Sequence, residues 1–122
     1  MKLHPDNPGD TKRFTSIGKG YVAINGERFE RSLALLPDEV RLDWSAANFT
    51  ELNESHFEYF IALKPEVLLL GTGEQQHFPH PGLYRALIAA GVGVEFMDTH
   101  AACRTFNILV AEDRKVIAAI IL

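Results

Sequence analysis

A run of four aliphatic residues at positions 67–70 ends abruptly at Gly71, Thr72 and Gly73. A short apolar run that stops at turn residues predicts a strand that is buried on both faces. Such a strand needs a layer of structure on each side. Pro81 then stands where a helix can begin, which gives the order strand, glycine loop and helix. Because open α/β sheets bind ligands at the carboxyl ends of their strands, this loop is the first candidate for a functional site.

Two helices are predicted around this strand. The first begins at Asn53, a residue type that caps helix N-termini, and ends before Pro65. The second covers residues 81–90, and Gly91 follows where a helix C-terminus favours glycine. The apolar residues of the second helix recur at helical spacing, which predicts that one side faces the core: Leu83, Tyr84, Leu87 and Ile88.

The segment after residue 98 has two interpretations. As a helix capped by Thr99, it buries one stripe of residues: Ala102, Phe106, Leu109 and Val110. Residues 105–110 are also β-prone, so a hairpin that turns at Asp113-Arg114 is the alternative. The helical period fits better, because three polar residues then share one face: His100, Arg104 and Asn107.

The first half of the chain is rich in β-strand signals. Asn25-Gly26 is the strongest short signal for a hairpin turn. Residues 29–35 alternate as one strand that ends at Pro37, and a second alternation over residues 40–44 predicts another half-buried strand. We expect all of these strands to pack as a small antiparallel layer.

Residues 92–97 and 116–122 predict two more strands, the second of them central. Strands joined by helices imply parallel neighbours with right-handed crossovers. We therefore predict a three-layer α/β fold with a mixed central sheet, helices and an additional small antiparallel β layer from the N-terminal hairpin. The 122 residues fit one domain over residues 13–122, preceded by a flexible segment over residues 1–12.

The composition narrows the class of protein. The formal net charge is -4 and no long basic run is present, so nucleic acid is not an expected partner. A single cysteine excludes an internal disulfide framework and fits a reducing compartment. Residues 1–10 are polar without a signal-peptide pattern, and the apolar run at 116–122 is too short to cross a bilayer. We therefore expect a cytoplasmic protein without a membrane span.

The glycine loop does not match the phosphate-binding motifs of nucleotide enzymes. A dinucleotide fingerprint needs a third glycine where Gln76 stands, and no Gly-Lys-Ser/Thr sequence follows for a P-loop. Asp98 ends the next strand, where an acidic residue would meet a ribose, but 122 residues supply too few βα units for a dinucleotide fold. We expect no cofactor, and the glycines are first interpreted as a tight turn between closely approaching backbones.

Metal binding and nucleophilic catalysis lack complete residue sets. His77 and His80 share one loop and His100 follows the next strand, but no cysteine pair or His-Glu-x-x-His pattern completes a zinc site. No Gly-x-Ser-x-Gly elbow occurs around any serine. Cys103 lies beside the apolar stripe of the third helix, where burial is favoured over a redox role. We expect no metal and no catalytic residue, and we prefer a non-catalytic interpretation.

An anion or a carboxylate is the ligand that the loop favours. Helix N-termini near Pro81 and Thr99 are expected at the same sheet edge as the glycines, and such ends carry unpaired N–H donors and a partial positive charge. Arg104 adds a fork of donors, or pairs with Asp98 or Glu95 on a solvated face. The candidate ligand-binding residues are Gly71, Thr72, Gly73, His77, Thr99 and Arg104.

Several of these segments also carry a family resemblance. The strand end at residues 69–73, the strand at 91–98 and the helix pattern at 99–109, with Phe106-Asn107 in it, together resemble the Mth938-like family of domains of unknown function (498/598). The resemblance runs from about residue 11 to the C-terminus. It implies a compact α/β fold with extra β structure, and a relation to mitochondrial NADH dehydrogenase (complex I) assembly factor 3. It implies no agreed catalytic residues.

Two functional hypotheses follow. The first is a non-catalytic binding or assembly-factor domain that engages a partner protein, with respiratory complex subunits as partners by family analogy. The second is a small-molecule or anion-binding domain, or a minor hydrolase, that uses the loop at residues 71–81 and the adjacent helix N-termini. A concave pocket lined by Thr72, His77, Thr99 and Arg104 would favour a ligand, whereas a flat apolar patch would favour a partner. The oligomeric state is not predicted.

Overall fold

A computed structural model describes residues 11–44 and 46–122 of the chain. This part of the chain contains eight strands: β1 (Phe14–Gly18), β2 (Tyr21–Ile24), β3 (Glu27–Phe29), β4 (Leu33–Leu35), β5 (Val40–Arg41), β6 (Val67–Gly71), β7 (Gly93–Met97) and β8 (Val116–Ile120). Its helices are α1 (Glu54–Glu58), α2 (Arg85–Ala89), α3 (Thr99–Ala111) and two 3-10 helices (Phe49–Glu51 and Pro81–Tyr84). Most of the segment predicted to be flexible, residues 1–12, lies outside the described residues.

The main sheet has five strands in the order β5-β4-β8-β6-β7. Strands β6 and β8 are parallel neighbours at its centre, and every residue of both is buried. Strand β7 pairs in parallel with β6, and β4 pairs antiparallel with β8. The sheet is therefore mixed, as predicted, and the apolar runs at 67–70 and 116–122 are its central strands because they meet side chains on both faces.

The core lies on both faces of this sheet, which gives three layers. Leu68 and Leu70 face a cluster formed with α1, α2 and the chain around Trp44. Leu69, the residue between them, faces a second cluster formed with α3 and the small sheet, which includes Phe14. The period of two residues along β6 thus places successive side chains in different halves of the core. The three-layer Mth938-like fold predicted from the sequence is confirmed.

The small sheet contains β1, β2 and β3 in antiparallel order. Asn25 and Gly26 form its predicted hairpin turn, with φ angles of 49° and 88° that suit this residue pair. Asn107 of α3 bonds the backbone of Phe14, and the ring of Phe106 meets the ring of Phe14 edge-on at 5.5 Å. These contacts dock the small sheet on α3.

Two of the predicted front strands are wrong. Residues 29–35 are not one strand, because the chain leaves the small sheet after Phe29 and enters the main sheet at Leu33. The second predicted strand, over residues 40–44, is reduced to Val40–Arg41 and also joins the main sheet. The alternation of apolar and polar residues indicates which face of a strand each side chain occupies. It does not indicate which sheet the strand joins.

The helices agree with the predictions in part. Asn53 caps α1, since its Oδ1 accepts the backbone N–H of Ser55 over 2.9 Å. The second helix begins with the 3-10 turn Pro81–Tyr84, and Ile88 is 53% exposed, so its predicted burial is wrong. A 3-10 turn has three residues per turn, which shifts the phase of the side chains that follow.

The segment after residue 98 is a helix, α3, and not a hairpin. Its N-cap is Asp98, whose Oδ1 accepts the backbone N–H of Ala101 over 2.9 Å, so the prediction of Thr99 as the cap is wrong by one residue. The stripe buried under α3 consists of Thr99, Ala102, Cys103 and Phe106, whereas the predicted Leu109 and Val110 are half-buried. Among the described residues, no helix is long and apolar enough to span a bilayer.

Candidate functional site

Gly71 brings the end of β6 against the start of α3. A Cβ at this position would lie 3.0 Å from Thr99 Cα and 3.0 Å from Ile120 Cδ1. The carbonyl of Gly71 accepts the backbone N–H of Ile121 over 3.0 Å, which extends its pairing with β8. A backbone atom such as Thr99 Cα cannot move aside as a flexible side chain can, so glycine is required here by close packing.

Thr72 organises the loop that follows β6. Its side chain is 3% exposed and its Oγ1 donates to Gln75 O over 2.6 Å. The same oxygen accepts the backbone N–H of His77 over 3.1 Å, and the backbone N–H of Thr72 donates to Met97 O over 2.9 Å. Because the hydroxyl is used within the loop, its role is to hold the loop in shape.

Gly73 and Thr99 bind each other reciprocally. Thr99 N donates to Gly73 O over 2.8 Å, and Gly73 N donates to Thr99 Oγ1 over 2.9 Å. The hydroxyl of Thr99 donates in turn to Ile121 O over 2.6 Å. Gly73 has a φ of 104°, a backbone conformation that favours glycine. One buried threonine therefore joins the glycine loop, α3 and the chain after β8.

A cavity of about 360 Å³ opens beside this junction. The turn between β1 and β2 forms one wall, and the start of α3 and the glycine loop form the others. Its lining residues are Ile17, Gly18, Lys19, Gly20, Gly73, Glu74, Asp98, Thr99, His100, Ile121 and Leu122. Lys19 and His100 bring basic groups to a wall that also carries Glu74 and Asp98, and the remaining wall is mostly apolar or glycine.

The structure gathers four of the six predicted ligand-binding residues: Gly71, Thr72, Gly73 and Thr99. Only Gly73 and Thr99 of these line the cavity. The backbone of His77 joins the loop, but its imidazole packs against the ring of Phe49 at 5.0 Å. Arg104 is exposed on α3 and is absent from the cavity wall. The concave pocket that would combine Thr72, His77, Thr99 and Arg104 is therefore not formed.

The second predicted helix start does not converge on the same place. Nδ1 of His80 accepts the backbone N–H of Gly82 over 3.0 Å, which caps the 3-10 helix that begins at Pro81. That 3-10 helix packs against α1 and α2, on the opposite face of the main sheet from α3. Of the two predicted helix N-termini, only that of α3 thus lies at the glycine loop.

The remaining reactive side chains are dispersed or buried. Within the described residues, no group of three His, Cys, Asp or Glu side chains could hold a metal ion. Cys103 is buried in the core, and burial raises the pKa of its thiol to about 12. A thiol with so high a pKa is protonated at neutral pH and is a poor nucleophile. Its predicted burial is confirmed.

A second surface lies along the outer edge of the main sheet. Phe78, in the loop after Thr72, is 70% exposed and packs edge-on against Phe96 of β7, with ring centroids 6.2 Å apart. Phe96 in turn contacts Tyr84 at 4.9 Å. Gln76 reaches the same strand, because its Nε2 donates to Phe96 O over 3.0 Å. We call Phe78, Gln76 and β7 the edge surface.

The positions of Lys19 and Asn107 in the structure were not predicted from the sequence. Nothing local indicated that Lys19, between Gly18 and Gly20, would line a cavity together with the start of α3. The role of Asn107 was missed as well, since it was assigned to a polar face together with His100. Both omissions concern contacts between segments about 80 or more residues apart in the chain, which local patterns do not report.

Comparison with known proteins gives a family and a fold. The family model described as "Protein of unknown function (DUF498/DUF598)" matches residues 14–121. An NMR structure of a Bordetella pertussis protein described as a Mth938-like domain superposes with a TM-score of 0.82 and 35% identity, covering 99% of this chain and 92% of that one.

Among the relatives that carry descriptive names are one from an animal and one from a bacterium. The NADH dehydrogenase [ubiquinone] 1 alpha subcomplex assembly factor 3 of Bos taurus is 37% identical over 105 residues, which are 84% of this chain and 56% of that protein. The 13 kDa major membrane protein of Francisella tularensis is 33% identical over 110 residues, which are 88% of this chain and 89% of that protein. The chain thus spans little more than half the length of the animal relative.

Proposed function

We propose, from the premise that this chain belongs to the DUF498/DUF598 family, that it is a non-catalytic domain that binds a protein partner and supports assembly of a respiratory complex. The relation to the Bos taurus assembly factor, over 84% of the chain, is the observation that carries this proposal. We further propose that the partners are subunits of a respiratory complex and that the protein acts in the cytoplasm.

Two features of the chain support a binding role over a catalytic one. At the carboxyl end of β6, the polar groups of Thr72, Gly73 and Thr99 are hydrogen-bonded to one another and to backbone carbonyls. The edge surface, in contrast, exposes Phe78 beside a strand edge that pairs with no other strand of the described residues. Large exposed aromatic side chains are enriched where proteins meet partners.

Deletion of the gene in its native host tests the proposal. We expect less fully assembled NADH dehydrogenase on native gels, with accumulation of a smaller subcomplex, and restoration by the wild-type gene. The gene carrying Ile108→Ser, a change at an exposed residue of α3, should restore assembly equally and serves as the matched control. Normal assembly in the deletion strain would contradict the proposal.

A second candidate function is binding of a small anionic molecule, or its hydrolysis, in the cavity beside Gly73 and Thr99. The volume of about 360 Å³, with Lys19 and His100 in its wall, favours this alternative because pockets of this size hold small ligands. Of the other proposed ligand-binding residues, Gly71 and Thr72 would shape the site, and His77 and Arg104 would act only after rearrangement.

A thermal-shift screen of carboxylates and phosphate esters tests the second candidate. A true ligand should raise the Tm of the wild type and lose this effect in Lys19→Ala, whereas Lys115→Ala, far from the cavity, should respond as the wild type. If no compound stabilises the wild type, or if both variants respond alike, the cavity is not a ligand site.

A further inference from the structure

Three hydrogen bonds fix the direction of the backbone groups of β7 in the edge surface. Gly93 N donates to Glu66 O, and Met97 O accepts from Thr72 N, so these two residues of β7 point inwards to β6. Phe96 O accepts from Gln76 and therefore points outwards. Because strand residues alternate in direction, Val94 points outwards with Phe96, and its N–H and C=O face away from the sheet.

Strand β7 is one of the two longest sheet edges among the described residues. The opposite edge of the main sheet is β5, which has two residues, and one edge of the small sheet is β3, which has three. The other edge of the small sheet is β1, which has five residues and is bonded at Phe14 by the side chain of Asn107. Strand β7 has five. Proteins commonly protect sheet edges by keeping them short or by covering them, and at β7 a single side-chain hydrogen bond from Gln76 covers one carbonyl.

The side chains beside this edge differ between the two faces of the sheet. On the face of α2, Val94 and Phe96 pack on the core and Phe78 lies against Phe96, which gives an apolar strip. On the other face, Glu95 is exposed and forms no ion pair with the described residues. Successive side chains of a strand added to β7 would point to opposite faces of the sheet. Every second side chain would therefore meet the apolar strip, and those between them would lie on the face of the Glu95 carboxylate.

We propose that β7 accepts an extended segment of a partner protein in which apolar residues alternate with lysine or arginine. The segment adds a sixth strand to the main sheet and forms hydrogen bonds with the N–H and the C=O of Val94. Its apolar residues cover Phe78 and Phe96, and a basic residue pairs with Glu95. This inference rests on the proposed function, since it names the surface with which the partner is held.

A second copy of the chain is a poorer occupant than such a segment. If two copies pair through β7, the antiparallel register that places Val94 of one copy opposite Phe96 of the other lets both outward-pointing residues form backbone hydrogen bonds. The same register places Glu95 directly opposite Glu95 of the second copy, and like charges at directly opposed positions destabilise a sheet. A lysine or arginine of the segment opposite Glu95 replaces this repulsion with an attraction.

The test uses a capped seven-residue peptide that alternates valine with lysine, titrated into the isotope-labelled protein. We expect NMR shifts and slower hydrogen exchange at the Val94 and Phe96 amides. Val94→Pro removes the outward N–H without removing a bond to β6, and should weaken binding by about tenfold or more. Phe78→Ser should also weaken it, whereas Ile108→Ser, which replaces an apolar residue that is 58% exposed on α3, should not. Circular dichroism checks that each variant is folded.

Two control peptides make the test specific. Glutamate in place of lysine should abolish binding to the wild type, and Glu95→Lys should restore binding of that peptide. N-methylation of the lysine peptide on the edge that faces β7 should also abolish its binding to the wild type. Equal binding of the lysine and glutamate peptides, shifts only outside the edge surface, or pairing of β7 with a second copy would overturn the proposal.

The outcome separates this surface from the proposed function. If Val94→Pro and Phe78→Ser restore respiratory-complex assembly fully in the deletion strain, the surface is wrong and the assembly role stands. If the deletion strain assembles its complex normally while the peptide binds β7 as expected, the surface stands and the assembly role is wrong.

Discussion

The side-chain amide of Asn107 forms two hydrogen bonds with the backbone of Phe14. Phe14 N donates to Oδ1 over 2.9 Å, and Nδ2 donates to Phe14 O over 2.8 Å. The amide thus occupies the edge of β1 as a neighbouring strand would, while the adjacent Phe106 meets the ring of Phe14. These two consecutive residues of α3 explain why the small sheet has one fixed position on the domain.

Loss of the Asn107 amide should destabilise the protein. Asn107→Leu keeps the approximate volume but leaves the N–H and C=O of Phe14 without partners, so the free energy of unfolding should fall by about 1–3 kcal/mol. Urea denaturation measures the change. Arg104→Ala, at an exposed position of the same helix, should change it by less than about 0.5 kcal/mol. Equal effects of the two substitutions would show that the double hydrogen bond contributes little.

The glycine at the end of β6 should not tolerate a side chain. Gly71→Ala places a Cβ 3.0 Å from Thr99 Cα, so the free energy of unfolding should fall by roughly 1–3 kcal/mol because α3 must move away. Gly93→Ala is the control, since its Cβ would come no closer than 3.4 Å to another atom. The comparison uses thermal unfolding of both variants, and a Gly71→Ala protein as stable as Gly93→Ala would contradict the close packing.

The hydroxyl of Thr99 should matter more than its methyl group. Thr99→Val keeps the shape but removes the acceptor of Gly73 N and the donor to Ile121 O, with an expected loss of about 1–3 kcal/mol. Thr99→Ser retains the hydroxyl and should recover most of that loss in the same denaturation experiment. If Thr99→Val were the more stable of the two, packing of the methyl group would be the larger contribution.

The Cys103 thiol should be protected in the folded protein. Burial raises its pKa from 9.0 to about 12, so at pH 8 a thiol reagent should label the folded protein far more slowly than the urea-unfolded protein. Because the folded pKa lies above the unfolded one, this thiol contributes stability that is fully present below pH 9 and is lost as the pH rises towards 12. Cys103→Ala should remove that part of the alkaline slope, and rapid labelling of the folded state would contradict burial.

Much of the fold was predictable because local signals agreed with the tertiary structure. The aliphatic run before Gly71 has the length and the flanking glycines of a strand covered on both faces, and Asn25-Gly26 has the backbone preference that its hairpin needs. The helical period of residues 99–110 outweighed their β propensity, because α3 buries one side against the sheet. The division of residues 29–35 between two sheets was not predictable, since a local pattern does not show with which strand a segment pairs.

The candidate sites were harder to predict from the sequence than the fold. Gly73 and Thr99 were recognised, but the wall of the cavity opposite them comes from the turn around Lys19, which only tertiary docking brings close. His77 and Arg104 have the residue types of an anion site, yet the loop and the helix direct them elsewhere. The exposure of Phe78 beside β7 depends on the loop path that the hydrogen bonds of Thr72 set, which no local pattern indicates.

The central claim is that the protein acts by holding a partner at its edge surface. Site-specific photo-crosslinking in living cells of the native host tests it most directly, with benzoylphenylalanine in place of Phe78 and, as the matched control, in place of Ile108. We predict that position 78 gives one discrete adduct with the same protein in every repeat, that position 108 does not give this adduct, and that Val94→Pro abolishes it. The absence of an adduct at position 78, or the same adducts at both positions, would contradict the account.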